Sequence, residues 1–274
     1  MWVRAISGLI FLLIVVSAIV YSNYTLVVLF LIIIAGASFE LSKLFNTYYK
    51  TNINSFFVAI IPALIYFMIA LLTFNLIDIN YEALYLTTLL LLFLAPLYLS
   101  IFFFKENILV YLFSTYFCLL YILMPFMFLI LNAKFYRHID DYNYTYFLSF
   151  FILIWVNDTF AYLTGKLLGK HKLWESISPN KTIEGLAGGI IFTVVSGFFL
   201  KQIGWMEINS NLKLISTTLL VSLTATLGDL FESKLKRLAN IKDSGAIMPG
   251  HGGFLDRFDG ALFAAPVYII STSF

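Results

Sequence analysis

Residues 212–259 read LKLISTTLLVSLTATLGDLFESKLKRLANIKDSGAIMPGHGGFLDRFD, and this stretch decides how the rest of the chain is interpreted. An apolar run of membrane-crossing length, 212–235, leads into a stretch rich in charge and glycine that ends at Asp259. Glycines let a backbone fold tightly and approach a ligand closely. Cations and carboxylates on such a loop favour binding of a polyphosphate together with its metal ion. The charged residues concerned are Lys234, Lys236, Arg237, Lys242, Asp243, Asp256, Arg257 and Asp259.

The composition of the whole chain indicates an integral membrane protein. Of its 274 residues, 61% are hydrophobic and 12% are charged, whereas soluble domains carry about 25% charged residues. Apolar runs long enough to cross a bilayer recur along the chain. We therefore predict an all-α membrane protein with about nine transmembrane helices, of which the last is short. The runs lie near 5–22, 24–44, 55–77, 83–104, 108–132, 144–168, 183–204, 212–235 and 259–274.

The distribution of cations predicts the orientation. With the N-terminus in the cytoplasm, thirteen of the seventeen Lys and Arg residues fall on the cytoplasmic side, as the positive-inside rule favours. Two cation-rich loops, 166–182 and 236–258, then share the cytoplasmic face. We divide the chain into a transmembrane scaffold of about five helices, 1–143, and a catalytic transmembrane region, 144–274.

The N-terminal half carries no polar constellation, which is typical of scaffold and lipid-facing surface. Its exception is Glu40, which we expect to lie close enough to the membrane interface to be solvated. The single cysteine, Cys118, lies in an apolar run and excludes an internal disulfide. We interpret the first apolar run as a retained span, because no clear small-residue cleavage site follows it.

Asn157 and Asp158 interrupt an apolar span. A charge at bilayer depth costs roughly 2.5–3.5 kcal/mol, so Asp158 requires a cationic partner or a watery cavity. A purely structural ion pair remains an alternative. Small residues recur every four positions on this span and on the next one, which predicts close contact between the two helices. They are Ala161, Gly165 and Gly169 on the first span and Gly185, Gly189, Thr193 and Gly197 on the second.

The loop between those two spans combines turn residues with cations. Residues 178–182, followed by Glu184, predict a turn that feeds a helix. Either Asn180 or Thr182 would cap that helix, whose N-terminal amides could then face an anion. A loop that contacts lipid headgroups is the alternative. The cations of this loop are Lys166, Lys170, Lys172 and Lys181.

The end of the eighth span presents a polar helical face. Four residues at positions i, i+4, i+7 and i+8 lie on one side of a helix, rising from a carboxylate to a pair of cations. This order suits a metal ion whose phosphate partners sit at the interface. A structural ion pair near the helix end is the alternative. The residues are Asp229, Ser233, Lys236 and Arg237.

Asp256 and Asp259 are spaced three apart, so in a helix their carboxylates converge. Two neighbouring carboxylates repel each other and require a cation. Mg²⁺ takes one or two carboxylates together with phosphates and waters. We predict Asp229 with Asp256 as the first metal-binding pair, and Asp259 as the next ligand.

The charged stretch also resembles the signature of the phosphatidate cytidylyltransferase (CDP-diacylglycerol synthase) family. One position departs from the pattern, because Met248 stands where Leu, Ile or Phe is expected. The resemblance extends to the run from Trp155 to Gly185, and recognisable family character covers roughly 155–266, with a weak match at Arg4–Ser7. The signature residues are Ser233, Leu235, Lys236, Arg237, Lys242, Asp243, Pro249, His251, Gly252, Gly253, Phe254, Asp256, Arg257, Phe258 and Asp259.

The resemblance implies that CTP and phosphatidate react to give CDP-diacylglycerol and pyrophosphate. It implies Mg²⁺ as the cofactor and leaves open whether a second cation takes part. It assigns Asp229, Asp256 and Asp259 to the metal. Lys236, Arg237, Lys242 and Arg257 would hold phosphates. Substrate contacts would come from Asn157, Asp158, Lys166, Ser178, Asn180, Lys181, Thr182, Ser233, Asp243, His251, Gly252, Gly253 and Arg257.

His251 is expected to contact a phosphate or to shape the loop. It is not needed as a general base, because the phosphate of phosphatidate is already anionic near neutral pH. The resemblance further implies a homodimer among membrane lipids, in the inner cell membrane, with its active site on the cytoplasmic face.

Other nucleotide and metal motifs are absent from the sequence: it has no GxxxxGK[ST], no GxGxxG after a strand, no HExxH and no CxxC. The basic loops are short and adjoin bilayer-depth carboxylates, which argues against nucleic acid. A CTP-dependent polyprenol or lipid kinase remains an alternative enzyme. A transporter of an anionic metabolite is the alternative from a different class.

Overall fold

The computed structural model describes residues 2–74, 81–103, 107–135, 142–245 and 252–273, and nearly all of them are helical. The helix formed by α5 and α6 is continuous through a π turn. The helices are α1 (Trp2–Tyr21), α2 (Asn23–Tyr49), α3 (Ser55–Thr73), α4 (Tyr81–Phe103), α5 (Ile108–Cys118), the π turn (Leu119–Leu123), α6 (Met124–Phe135), α7 (Tyr144–Leu168), α8 (Ile183–Gln202), α9 (Asn211–Leu238) and α10 (Leu255–Ser273).

The architecture confirms an all-α membrane protein. Within the described ranges, each predicted apolar run falls on one continuous helical segment. Among the described residues, five segments are long and apolar enough to cross a membrane by length and composition. The number of spans and their orientation stay predictions. The five are Asn23–Tyr49, Ile108–Ala133, Tyr144–Leu168, Ile183–Gln202 and Asn211–Leu238.

Local signals explain several helix boundaries. Ser22 caps α2 through a capping box with Thr25, which satisfies backbone N–H groups that the first turn leaves free. Lys50 ends the same helix in the left-handed conformation, with φ 54°. The π turn ends two residues before Pro125, close to the place where proline removes a helical hydrogen bond.

The C-terminal helices pack in pairs, α7 against α8 and α9 against α10, and α8 also packs on α9. The small-residue stripes explain the first pair. A Cβ atom at Gly185 would lie 2.7 Å from the carbonyl oxygen of Ala161, and one at Gly189 would lie 2.7 Å from Oδ1 of Asn157. The predicted close contact between these helices is therefore confirmed. At its far end the stripe meets α9 instead, because Gly197 packs against Thr218.

A short antiparallel hairpin joins α7 to α8. Its strands are β1 (Lys172–Trp174) and β2 (Ser178–Thr182). The predicted turn at 178–182 is therefore wrong, because this segment pairs with β1 and the chain reverses at 175–177. Thr182 caps α8, with its side chain accepting the N–H of Gly185, so the structure decides between the two predicted caps. Asn180 lies within the strand.

Candidate functional site

An ion pair links the hairpin to the end of α9. Lys181 Nζ on β2 lies 2.6 Å from Oδ2 of Asp229. The hydroxyl of Ser233 donates to the other oxygen of Asp229 at 3.2 Å. Arg237 reaches the carbonyl oxygen of Ile177 at 3.5 Å. The hairpin and the charged end of α9, which are distant in sequence, therefore meet at one end of the helix bundle.

A second cluster joins α9 to α10. Lys236 Nζ lies 2.5 Å from Oε2 of Glu232 and 2.5 Å from Oδ1 of Asp256. The Glu232 side chain is fully buried at 0% exposure, and apart from this ion pair neither of its oxygens has a hydrogen-bond partner among the described residues. Sequence reasoning missed Glu232, although its spacing of four from Lys236 is a recognisable signal for a helical ion pair.

Asp256 is held on its other side by the chain that precedes α10. Its Oδ2 accepts the backbone N–H of Gly253 at 2.8 Å, and the N–H and hydroxyl of Ser244 at 3.0 and 2.9 Å. Gly252 has φ +81°, a conformation that favours glycine, and a Cβ there would overlap the Asp256 carboxylate. The carboxylate is therefore fixed between α9 and its own preceding turn.

Glu40 on α2 contacts this same turn. It is 3% exposed and accepts the backbone N–H groups of Phe254 and Leu255 at 3.0 and 2.9 Å. The Ser244 hydroxyl lies 3.0 Å from its Oε2, so the one hydrogen of that hydroxyl is shared between Glu40 and Asp256. The expectation that Glu40 is solvated is therefore wrong, because the residues before α10 cover it.

Several carboxylates share one electrostatic environment. The backbone carbonyl of Asp259 lies against Gly228, the residue before Asp229, so these two aspartates stand at the same crossing of α9 and α10. Asp158, which is exposed, follows Asn157, whose side chain contacts Ser222 and Thr226 on α9. Neighbouring carboxylates at short range require positive charge, from the protein or from a ligand. The predicted aspartates of α7, α9 and α10 thus belong to one region of the molecule.

The sequence profile of the cytidylyltransferase family matches residues 2–274. The chain belongs to the cytidylyltransferase family.

Individual relatives of this family are similar over part of the chain. A phosphatidate cytidylyltransferase of Bacillus subtilis (strain 168) is 48% identical over 130 residues, which cover 47% of this chain and 48% of the relative. The Staphylococcus aureus (strain COL) protein of that name is 50% identical over 123 residues, 44% of this chain and 46% of the relative. The chain thus spans about half the length of the curated relatives it matches.

Asn157 ties two helices of this cytidylyltransferase fold together. It is 1% exposed. Its Oδ1 accepts the hydroxyl of Ser222 at 2.5 Å, and its Nδ2 lies 3.5 Å from the Thr226 hydroxyl and 3.3 Å from Oδ1 of Asp158. Asn157 therefore joins α7 to α9 directly beside Asp158, and its predicted contact with substrate stays a prediction.

The remaining predicted residues are more peripheral. Ser178 is half-buried on β2, and Gly252 and Gly253 form part of the turn around Asp256. His251 lies outside the described residues, as do Met248 and Pro249. Besides Asp158, the exposed members of the predicted set are Lys166, Asn180, Arg237, Lys242, Asp243 and Arg257.

The donor set suits a hard cation, since it offers carboxylate oxygens, the ligands that such cations prefer. Over the described part of the chain, no group of three or more His, Cys, Asp or Glu residues is arranged to hold a metal ion. Mg²⁺ takes only one or two protein carboxylates when phosphates complete its shell. Asp229 faces Lys181 and Asp256 faces Lys236, so the shared metal site of Asp229 and Asp256 stays a prediction.

Proposed function

We propose that this chain is a phosphatidate cytidylyltransferase, which transfers CMP from CTP to phosphatidate and so supplies CDP-diacylglycerol for phospholipid biosynthesis. One observation carries the proposal. The Lys181–Asp229 and Lys236–Asp256 ion pairs bring cations and carboxylates from β2, α9 and α10 to one end of the bundle, in a chain of the cytidylyltransferase family. The printed name of the relatives supports the same reaction.

The reaction requires charge neutralisation more than proton transfer. An oxygen of the phosphatidate phosphate attacks the α-phosphorus of CTP, and the bond to the β-phosphate oxygen breaks as pyrophosphate leaves. The attacking oxygen is already anionic near neutral pH, so no general base is required. Because both reactants are anions, the protein contributes mainly positioning and electrostatic stabilisation.

The cations of the site are proposed to hold the phosphates. Lys181 and Lys236 are paired with carboxylates here, and a bound triphosphate would compete for the same ammonium groups. Arg237, Lys242 and Arg257 are exposed and so are accessible to the leaving phosphates and the lipid phosphate. The strand 178–182, which carries Lys181, would contact the nucleotide.

We propose that Asp229 and Asp256, with Asp259 as a further ligand, hold Mg²⁺, and that a second cation can join it. When bound, Mg²⁺ would neutralise the triphosphate and orient it for in-line displacement. The close crossing of α9 and α10 at Gly228 supports this assignment, because it brings Asp229 and Asp259 to one place in the bundle.

The membrane placement is proposed as nine spans, with the N-terminus and the active site on the cytoplasmic side of the inner membrane. Five membrane-length helices among the described residues support the membrane location, and the proposed number of spans rests on the nine apolar runs of the sequence. Phosphatidate would reach the site sideways from the bilayer, which explains why the chemistry is built among membrane helices. We propose a homodimer surrounded by membrane lipids as the working assembly, on the strength of the family resemblance.

The reaction is tested with purified protein, phosphatidate, Mg²⁺ and CTP labelled either on the cytidine or on the γ-phosphate. We expect the cytidine label to enter the lipid. Entry of the γ-phosphate label alone would establish a lipid kinase, and flux through proteoliposomes without nucleotide cleavage would establish a transporter. Excess EDTA should stop turnover, and robust activity in EDTA would rule out the metal.

The role of Asp229 is tested by Asp229→Asn. The substitution removes the charge that faces Lys181 while it keeps the shape of the side chain. We expect CDP-diacylglycerol formation to fall by at least about a hundredfold, with an unchanged unfolding temperature. Glu207→Gln, an exposed acid-to-amide change in the loop between α8 and α9, should keep full activity. Near-normal turnover by Asp229→Asn would remove Asp229 from the mechanism.

A further inference from the structure

Glu40 is a buried carboxylate that the proposed mechanism does not use. It belongs to α2, in the N-terminal half of the chain, yet its partners lie more than 200 positions later. Oε1 accepts the N–H of Phe254, and Oε2 accepts both the N–H of Leu255 and the hydroxyl of Ser244. Three donors therefore converge on one side chain at the start of α10.

The backbone before α10 leaves space for the Glu40 carboxylate at two glycines. A Cβ atom at Gly245 or at Gly253 would overlap the oxygens of Glu40. The glycines thus let the backbone close around Glu40 from two sides. The N–H groups of Phe254 and Leu255 belong to the beginning of α10, where backbone donors have no partner within the helix. Glu40 supplies the acceptors that the helix itself cannot provide.

Ser244 connects Glu40 to the active-site carboxylate. Its hydroxyl lies 3.0 Å from Oε2 of Glu40 and 2.9 Å from Oδ2 of Asp256. Its backbone N–H also donates to Oδ2 of Asp256 at 3.0 Å. A displacement of Ser244 would therefore be transmitted directly to Asp256, and through it to the Lys236 ion pair.

We propose that Glu40 is a positioning residue, by which α2 holds the start of α10 and, through Ser244, sets the place of the Asp256 carboxylate. The effect of Glu40 on catalytic turnover rests on the proposed function. Its effect on the backbone before α10 is independent of that function. The N-terminal half is then more than a scaffold, because one of its side chains completes the support of the site.

The hydrogen-bond chemistry requires a carboxylate at this position. A carboxylate accepts on both oxygens, whereas the amide of glutamine accepts on one atom and donates from the other. In Glu40→Gln, the NH₂ group would therefore face a backbone N–H or the Ser244 hydroxyl. A buried donor then loses its partner without any change in side-chain size, which makes this variant a sharp probe.

The first measurement is hydrogen–deuterium exchange on the full-length protein in detergent. In Glu40→Gln we expect the amide of Phe254 or of Leu255, whichever faces the new NH₂ group, to exchange about tenfold faster or more, while exchange in α7 and α8 is unchanged. Ser42→Ala is the matched control, because Ser42 is buried on the same helix but bonds to Ser55 on α3 at 3.0 Å. Unchanged exchange at Phe254 and Leu255 in Glu40→Gln would overturn the proposal.

The second measurement is kcat/KM for CTP, expressed per folded molecule. We expect Glu40→Gln and Ser244→Ala each to lose about tenfold or more, and Ser42→Ala to stay within about twofold of the parent. The double variant should lose little beyond the larger single effect, since both act on Asp256 by one route. Fully additive losses, or wild-type kcat/KM in either single variant, would contradict that route.

The two measurements also distinguish a folding failure of Glu40→Gln from a failure of the proposed function. If Glu40→Gln fails to fold, Ser244→Ala decides the matter, because it deletes one hydroxyl and leaves the backbone bond to Asp256 in place. If the wild-type protein forms no CDP-diacylglycerol, the proposed function fails, while the exchange measurement still tests whether Glu40 holds the turn. A purely structural role would lower the folded fraction and leave kcat/KM per folded molecule unchanged.

Discussion

Lys236 forms ion pairs with two carboxylates, Glu232 and Asp256. It can therefore affect both the stability of the protein and the proposed activity. Glu232 below it is fully buried, and Asp256 beside it is 9% exposed. Burial of a charge is costly unless a partner compensates it, and removal of one partner of a buried pair typically destabilises by about 3–5 kcal/mol. A residue that the sequence marks as a phosphate ligand therefore also stabilises the packing of α9 on α10.

The double role predicts separate effects of substitution on stability and on activity. Lys236→Met should lower the free energy of unfolding by about 3 kcal/mol, because it leaves Glu232 buried without a counter-charge. Adding Glu232→Gln should restore much of that stability, while turnover stays low in both variants. Chemical denaturation in detergent and the CDP-diacylglycerol assay measure the two quantities. Wild-type stability of Lys236→Met would show that Glu232 needs no cation.

Residue types and local spacing were enough to predict part of the site. Asp229, Ser233 and Lys236 share a helical face, so their proximity follows from helix geometry. Glu232 was missed since its significance depends on Asp256, which belongs to another helix. Glu40 was misjudged for the same reason, because its partner Ser244 lies 204 positions away and a single sequence gives no signal for so distant a contact.

At the scale of helices, α9 and α10 approach each other closely beside the predicted metal ligands. A Cβ atom at Gly228 would overlap the carbonyl oxygen of Asp259, and one at Gly260 would lie 3.3 Å from the carbonyl oxygen of Ala225. Each glycine stands next to a predicted ligand, Asp229 or Asp259. The close helix crossing therefore sets the separation of those two carboxylates.

Gly228→Ala tests this crossing. The new methyl group must push the backbones of α9 and α10 apart, and overpacking of this kind costs about 1–3 kcal/mol. We expect a lower unfolding midpoint and lower turnover, because Asp229 and Asp259 move with their helices. Leu227→Ala, at a side chain that is 53% exposed on the same helix, should leave the midpoint nearly unchanged. Equal midpoints for the two variants would mean that the crossing tolerates a methyl group.

The sequence predicted contact between two helices only where small residues recur at a regular spacing. The stripe on α7 and α8 recurs every four residues, so the contact at Gly185 was predicted. Gly228 and Gly260 stand alone on their faces and gave no such signal. The hairpin was missed because β2 reads SPNKT, a sequence of turn-forming and polar residues without hydrophobic alternation. Its strand conformation comes from pairing with β1.

For the whole molecule, the order of the helices along the chain followed from the apolar runs. Which helix ends face the cytoplasm is predicted from the distribution of cations. The Lys181–Asp229 pair places the hairpin at the end of α9 where that helix finishes. The loop between α8 and α9, which contains Glu207, therefore lies at the opposite end of those helices. A membrane that separates the two ends must expose one to the cytoplasm and the other to the outside.

Single-cysteine labelling tests that sidedness. Cys118 is buried and is the only cysteine in the sequence, so Cys118→Ser gives a background without thiols. Lys170→Cys marks the hairpin end and Glu207→Cys the opposite end, both at exposed positions. Because cations are retained on the cytoplasmic side, an impermeant maleimide should label only Glu207→Cys in sealed right-side-out vesicles, and both variants after the vesicles are opened. Labelling of Lys170→Cys in sealed vesicles would reverse the orientation and place the proposed site outside, away from cytoplasmic CTP.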